Sequence, residues 1–275
     1  MSSAAGPGER WAGGGFGDRG RCVLAGNPNP MTLDGTNTWV LREPGARRSI
    51  VIDPGPLDEA HLSAVAEVAG AVGAVLLTHH HLDHSEAARA FGERVGAPVR
   101  ALDPAYRLGS EGLADGDVVA VDGLEVHVVA TPGHTADSLS FWVPADGAVL
   151  TGDTVLGRGT TVVAHPDGAL GAYLDSLDRL HALAAAHEAA AIWPGHGPVI
   201  SDAVGALDFY IAHRRERLEQ VEAALGVLAP GLASGAVPPE AVPRRVVEIV
   251  YADVDPVLWG AAELSVRAQL DYLQR

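Results

Sequence analysis

The sequence predicts an α/β (α+β) chain in which two successive sets of strands and helices precede an all-helical tail. Three observations carry that reading. Short apolar runs bounded by Gly or Pro alternate with stretches whose apolar residues recur every three or four positions. From residue 202 onward the strand-like runs stop and helical spacing takes over. No fixed-period repeat is visible, which argues against a solenoid.

Residues 1–20 are rich in Gly, Ala and Ser and lack the continuous apolar core of a signal peptide, so a flexible tail on a cytoplasmic protein is expected. Residues 21–26 read as the first strand, closed by the turn Asn27-Pro28-Asn29-Pro30, and 36–41 and 49–52 as the next two. In 58–69, Leu62, Val65, Ala66 and Ala69 mark one face of an amphipathic helix. A central strand over 74–77 leads through a polar turn into a helix reaching about residue 95, and 98–102 adds a short strand.

The second set opens with 117–121 and 124–130, paired across Asp122-Gly123, a dipeptide that accepts the positive φ angles of a two-residue hairpin turn. Strands over 138–143 and 148–151 follow. A helix over 170–186 carries Leu170, Tyr173, Leu174, Leu177, Leu180 and Leu183 on one face, and 190–193 is the last strand. The tail reads as a helix over 202–225, a Pro/Gly-rich linker over 230–243 and two shorter helices. The division is therefore a tail over 1–20, a main domain over 21–201 and a C-terminal helical extension over 202–275.

With 275 residues, 47% of them hydrophobic, the chain has material for one large core, and no run approaches the roughly 18 apolar residues of a membrane span. A formal net charge of −16 weighs against a broad polyanion-binding surface. All 19 basic residues are Arg, a compositional bias rather than a functional sign. The single cysteine, Cys22, excludes an intrachain disulfide and a thiolate zinc ribbon.

The chemistry is concentrated in Thr78-His79-His80-His81-Leu82-Asp83-His84, between the central strand and the following helix. His79 and His81, two apart on extended backbone, point the same way and His80 the other. Asp83 and His84 fall in the first helical turn. Three further turns each follow a strand and carry a ligand-type side chain beside a Gly: Pro132-Gly133-His134, Gly152-Asp153 and Pro194-Gly195-His196. Imidazole and carboxylate donors suit zinc or a similar first-row ion. His79, His81 and His134 would give one ion three imidazoles, Asp83, His84 and His196 would hold a second, and Asp153 could bridge. Seven donors exceed the four of a closed structural site, which favours catalysis.

His79-x-His81-x-Asp83-His84, His134, Asp153 and His196 resemble the metal set of the metallo-β-lactamase superfamily, over about residues 21–201. The resemblance implies a four-layer αβ/βα sandwich with a dinuclear metal site at one edge of its two sheets, and Asp153 in both coordination spheres. It also implies that Asp53 supports the central motif from behind the ligands. Asn27-Pro28-x-Pro30-x-Thr32-Leu33-x-Gly35-Thr36-Asn37-Thr38 and Trp193-Pro194-Gly195-His196-Gly197-Pro198 are similar to a β-lactamase-like subgroup that includes a single-strand endoribonuclease and acyl-carrier thioesterases. The C-terminal part resembles the subgroup's winged-helix-like extension. Antibiotic-cleaving members of the commonest type carry Cys where Asp153 stands, so lactamase activity is not expected.

Two divalent ions, zinc by default with manganese or iron suiting the same donors, would share a hydroxide as nucleophile, with Asp83 and Asp153 as the catalytic carboxylates. The favoured substrate is a small thioester or acyl ester. The alternative is single-stranded RNA, tracked by Arg158, Arg214, Arg215 and Arg217, against the simpler view of these arginines as a solvated face. A non-catalytic, metal-dependent binding module is the third reading. The sequence leaves the oligomeric state open.

Overall fold

Strand β3 (Asn37–Leu41) is buried along its whole length, and so is nearly all of its neighbour β4 (Arg48–Ile52), so each must be covered on both faces. The structure, a computed structural model, describes residues 10–274. With β1 (Gly14–Phe16), β2 (Gly20–Leu24), β5 (Ala71–Leu76) and β6 (Val99–Arg100), these strands form a six-stranded sheet in sequential order. Pairing is antiparallel from β1 to β4 and parallel from β4 to β6. The parallel pairs are joined by α1 (Glu59–Ala69), and by α2 (Leu82–Ser85) with α3 (Ala88–Val95).

The second sheet has five strands: β7 (Val118–Val121), β8 (Leu124–Ala130), β9 (Leu139–Val143), β10 (Ala148–Gly152) and β11 (Ala191–Pro194), in the order 11-10-9-8-7. The β7–β8 hairpin closes on Asp122 and Gly123, both with positive φ, as that dipeptide predicts. β10 and β11 are parallel, connected by α4 (Leu170–Ala186). The C-terminal helices are α5 (Ala203–Ala233), α6 (Val242–Val250) and α7 (Trp259–Leu273).

Alternation along the strands sorts the core into layers. Trp39, Leu41, Ile50 and Ile52 face Leu124, Val126, Phe141 and Trp193 between the sheets. Val40 and Val51 face the other way, onto Leu62 and Val65 of α1 and Phe91 of α3. Trp142 and Val149 turn outward onto Leu177 and Leu180 of α4 and Leu207 of α5. The result is helices, sheet, sheet, helices. Trp39 and Trp193 stack across the gap with ring centroids 4.9 Å apart and planes at 12°.

Two expectations need correction. Residues 1–9 of the expected tail lie outside the described residues, but from residue 10 the chain is folded. Trp11 is buried, lies 5.3 Å from the Phe16 ring and donates Nε1–H to Asn37 Oδ1 at 2.7 Å, while β1 pairs with β2. The Gly-rich composition hides two aromatics that complete the sheet edge. The expected linker over 230–243 is shorter: α5 runs through Pro230 to Ala233, and α6 begins at Val242 with Pro243 in its first turn. Proline in a first turn costs nothing, because that N–H has no intrahelical partner.

The division after Ser201 falls at the head of α5, capped by Asp202, which accepts from Gly205 N at 2.9 Å. The first half of α5 packs into the α4 layer through Ala203, Leu207 and Tyr210; the second half packs on α6 and α7 through Val221 and Ala224. Helix α5 thus ties the extension to the sandwich, helped by α7, whose Ala268 joins the same layer and whose Ser265 hydroxyl accepts from Val163 N at 3.1 Å. Among the described residues no helix is long and apolar enough to cross a membrane.

Candidate metal centre

The site is assembled from turns at strand ends of both sheets, each held by backbone or buried side-chain hydrogen bonds. After β5, Thr78 donates N–H to Asp53 Oδ1 at 2.8 Å and its hydroxyl to Asp53 Oδ2 at 2.6 Å. His84 Nδ1 lies 2.9 Å from the same Oδ2. Asp53 itself has a φ of 50°, a region a non-Gly side chain enters only when its surroundings hold it there. Asn37 fixes the turn bearing His196, donating Nδ2–H to Pro194 O at 2.9 Å and to Gly197 O at 2.8 Å. Three more ring nitrogens are anchored: His134 Nδ1 on Val162 O at 2.6 Å, His196 Nδ1 on Gly35 O at 3.1 Å, His79 Nδ1 on Thr78 Oγ1 at 2.9 Å.

So held, the seven expected side chains converge as two triads and one carboxylate. His81 Nδ1 lies 3.1 Å from His79 Nε2 and 3.0 Å from His134 Nε2. In the second triad His196 Nε2 lies 3.2 Å from His84 Nε2 and 3.1 Å from Asp83 Oδ2. Asp153 stands between: Oδ2 is 3.8 Å from His134 Nε2 and 3.4 Å from His196 Nε2, and Oδ1 is 3.4 Å from His84 Nε2. Both triads have the closeness of donors that share an ion. His80 points away and pairs with Asp137 at 2.8 Å.

The donors fit a divalent metal. Two nitrogens about 2.0–2.1 Å from a tetrahedral zinc lie roughly 3.3–3.4 Å apart, close to the spacing within each triad. Asp153 Oδ1 is buried with no hydrogen-bond partner, an expensive state that a cation would relieve. Charge divides the site in two. Burial, then the neighbouring imidazoles, hold His79 well below the ordinary histidine range and His81 down to about 4; burial also lowers His134. These three imidazoles are neutral at physiological pH. For His84 and His196 burial pulls downward but the carboxylates prevail: Asp83, Asp153 and Asp53 lift His84 well above its usual value, and Asp153 and Asp83 bring His196 to about 9. In turn these imidazoles hold Asp83 and Asp153 below the carboxylate range, against burial. A metal ion entering the second triad would have to displace these protons.

Asp53 touches no donor atom of the cluster, yet it orients Thr78 and His84. Asp53→Ala should weaken metal affinity by about 10–100-fold with the seven donors intact. Competition against a chromophoric chelator measures this; unchanged affinity would reduce Asp53 to a turn residue.

Beside His134 and Asp153 opens a cavity of about 320 Å³, walled by Met31 and Leu33, the loop after Asp153, and Tyr251, Val254 and Leu258 of the tail. Tyr210 lies behind the wall and does not line the cavity. Its hydroxyl braces the loop after Asp153 instead, accepting from Leu156 N at 2.8 Å and donating to Gly159 O at 3.1 Å. Tyr173 does the same at Thr154 O, at 2.6 Å. The arginines form no track: Arg158 pairs with Asp34, Arg214 is buried against Thr161 O and the Tyr173 ring, and Arg217 donates to Val250 O at 2.8 Å. Arg215 is exposed, but among the described residues neither it nor Arg214 or Arg217 pairs with a glutamate. Sequence reasoning did not single out Asn37 as the clamp on the His196 turn; its one signal was a polar residue inside an apolar strand.

A four-layer sandwich with a His/Asp cluster at the ends of both sheets is the frame of a metal-dependent hydrolase. The chain belongs to the metallo-beta-lactamase superfamily, whose description matches residues 31–196, and residues 243–275 match the beta-lactamase associated winged helix domain. It is 35% identical over 212 residues to a Beta-lactamase-like protein 2 homolog of Caenorhabditis elegans, covering 72% of this chain and 68% of that one. It is 36% identical over 211 residues to the atrochrysone carboxyl ACP thioesterase of Aspergillus fumigatus, covering 74% and 64%. A beta-lactamase domain protein from Burkholderia ambifaria shares the fold with a TM-score of 0.74 at 23% identity, covering 95% and 87%. Another neighbour, solved in a di-iron-bound form, has a TM-score of 0.53 at 26% identity, covering 69% and 97%.

Proposed function

We propose that the protein hydrolyses acyl thioesters, or closely related acyl esters, at a dinuclear centre. His79, His81 and His134 would hold one divalent ion, Asp83, His84 and His196 would hold the second, and Asp153 would serve both. The observation that carries this reading is the place of Asp153: one carboxylate lies within 3.8 Å of donors from both triads and keeps a buried oxygen unpartnered. Zinc is the first choice for neutral imidazole plus carboxylate. Iron is its first competitor, given the di-iron-bound form of one structural neighbour.

Such ions supply a water ionised near neutral pH and polarise the carbonyl under attack. The chain does the rest. Asp83 Oδ2 faces His84, His196 and the Thr36 hydroxyl, which leaves Oδ1 to accept a hydrogen bond from the attacking water. A carboxylate so placed would orient that water. Tyr173 and Tyr210 keep the loop after Asp153 from shifting. Leu156, Val254 and Leu258 give the acyl body an apolar wall that excludes water. The thioesterase relative and the lack of a continuous basic groove among the described residues both support an acyl substrate over RNA.

Elemental analysis of protein purified without chelator should find close to two ions per chain. Stripping them should abolish hydrolysis of acyl thioesters, and returning zinc or iron should restore it. One ion or none in active protein would sink the bridged centre. Cleavage of labelled single-stranded RNA, with thioesters left intact, would move the activity to phosphodiesters.

A further inference from the structure

The cavity beside the metal cluster inverts the charge of the molecule around it. The chain has 35 acidic against 19 basic residues, yet among the described residues three arginines line this cavity and Asp153 is the only carboxylate on its wall. Arg158 is neutralised by Asp34. The other two are not. Arg214 and Arg217 stand one turn apart on α5 and border the same space.

Their partners are all uncharged. Arg214, 3% exposed, donates Nη2–H to Thr161 O and lies 4.8 Å over the Tyr173 ring, with its Nε lacking any acceptor. Arg217 donates to Val250 O at 2.8 Å and Gln220 Oε1 at 2.9 Å and lies 4.9 Å over the Tyr251 ring. No carboxylate among the described residues comes within 4.0 Å of either guanidinium. A buried cation without a counter-charge is costly, and two like charges one turn apart add repulsion. Both costs fall if an anion enters. Stacked on rings, the two planes are fixed before it arrives, and guanidinium edges match carboxylate and phosphate oxygens. His213, kept neutral by burial and then by these arginines, borders the same wall.

We propose that Arg214 and Arg217 form an anion subsite on the cavity wall, so that the substrate presents a carboxylate or phosphate there while its acyl carbonyl reaches Asp153 and His134. The inference rests on the acyl-hydrolase reading above and names what that substrate carries. The charge has two possible sources: a carboxylate at the far end of the acyl chain, or a phosphate on the thiol arm.

Four hydrolysis-resistant thioethers separate these sources: a pentyl or an ω-carboxypentyl chain, each on pantetheine or on 4′-phosphopantetheine. Calorimetric titration of metal-loaded protein should show one anionic group raising affinity tenfold or more over the neutral thioether. The ligand that gains names the source. Arg217→Gln should cut the preference below threefold, Arg217→Lys should retain most of it, and the preference should shrink with added salt. Equal affinity for all four ligands, no binding of any, or a preference that survives Arg217→Gln overturns the subsite. A preference that depends on Arg217, in a protein that turns over no thioester, would leave the subsite standing and remove the acyl-hydrolase reading alone.

Discussion

Asp153→Ala is expected to abolish most of the activity and to lower metal content from two ions toward one. Among the described residues Asp153 is the only carboxylate placed between the two triads, with separations of 3.4–3.8 Å to His84, His134 and His196. Without it, the three imidazoles of the first triad still form an ordinary single-ion site. The second triad loses the carboxylate that most strongly offsets the burial of His196, leaving Asp83 as its only acidic donor. Activity should fall by at least roughly 10²–10³-fold, the loss incurred when one group stabilising the reacting charge is removed. Elemental analysis beside thioester turnover gives both readings on one sample. Two ions per chain with near-normal turnover would mean that Asp153 bridges nothing.

The second large effect is on stability. Gly133→Ala is expected to destabilise the protein by about 3 kcal/mol or more, through overpacking and a backbone angle unfavourable to L side chains. Gly133 has a φ of 143°, and a Cβ there would run into the Tyr173 backbone, 2.6 Å from its nitrogen. That backbone is the first turn of α4, tied to Gly133 itself through the hydrogen bond from Ala169 N to Gly133 O at 3.1 Å. It cannot yield as a flexible side chain would. His134 is the next residue, so the substitution should also loosen the first triad. A lowered thermal midpoint together with reduced metal content is the expected pair of results. Gly226→Ala, in α5 with open space around it, is the control and should cost nothing. A Gly133→Ala protein with the wild-type midpoint would show that α4 can shift away from this turn.

Much of the architecture was legible because it follows from local rules. Runs such as Ile50-Val51-Ile52 are apolar on both faces, and that marks strands covered by helices on one side and a second sheet on the other. Asp122-Gly123 closes a two-residue hairpin whatever surrounds it. The seven side chains gathered in the cluster were also legible, since five sit on turns after strands, where the strand's end sets their direction, and Asp83 and His84 follow in the short helix α2. Only their mutual distances required the structure.

What sequence could not resolve depends on residues far apart in the chain. Trp11 and Phe16 lie in a Gly-rich stretch that looks like a tail, and they are core only because Asn37 and Trp39 receive them. Pro230 reads as a helix breaker, yet the packing of the α5 C-terminal half on α6 and α7 carries the helix past it. Arg214 looks like one more cation on a charged helix. Its burial against Tyr173 and Thr161 is settled by how α5 lies on α4 and on the loop after Asp153. The sequence by itself determined the layers, the hairpin and the seven converging donors, because period, turn chemistry and strand direction act over a few residues. Only the tertiary structure decided the cavity, its charge and the partners of the arginines on its wall, because burial and ion pairing depend on which surfaces meet once the chain has folded back on itself.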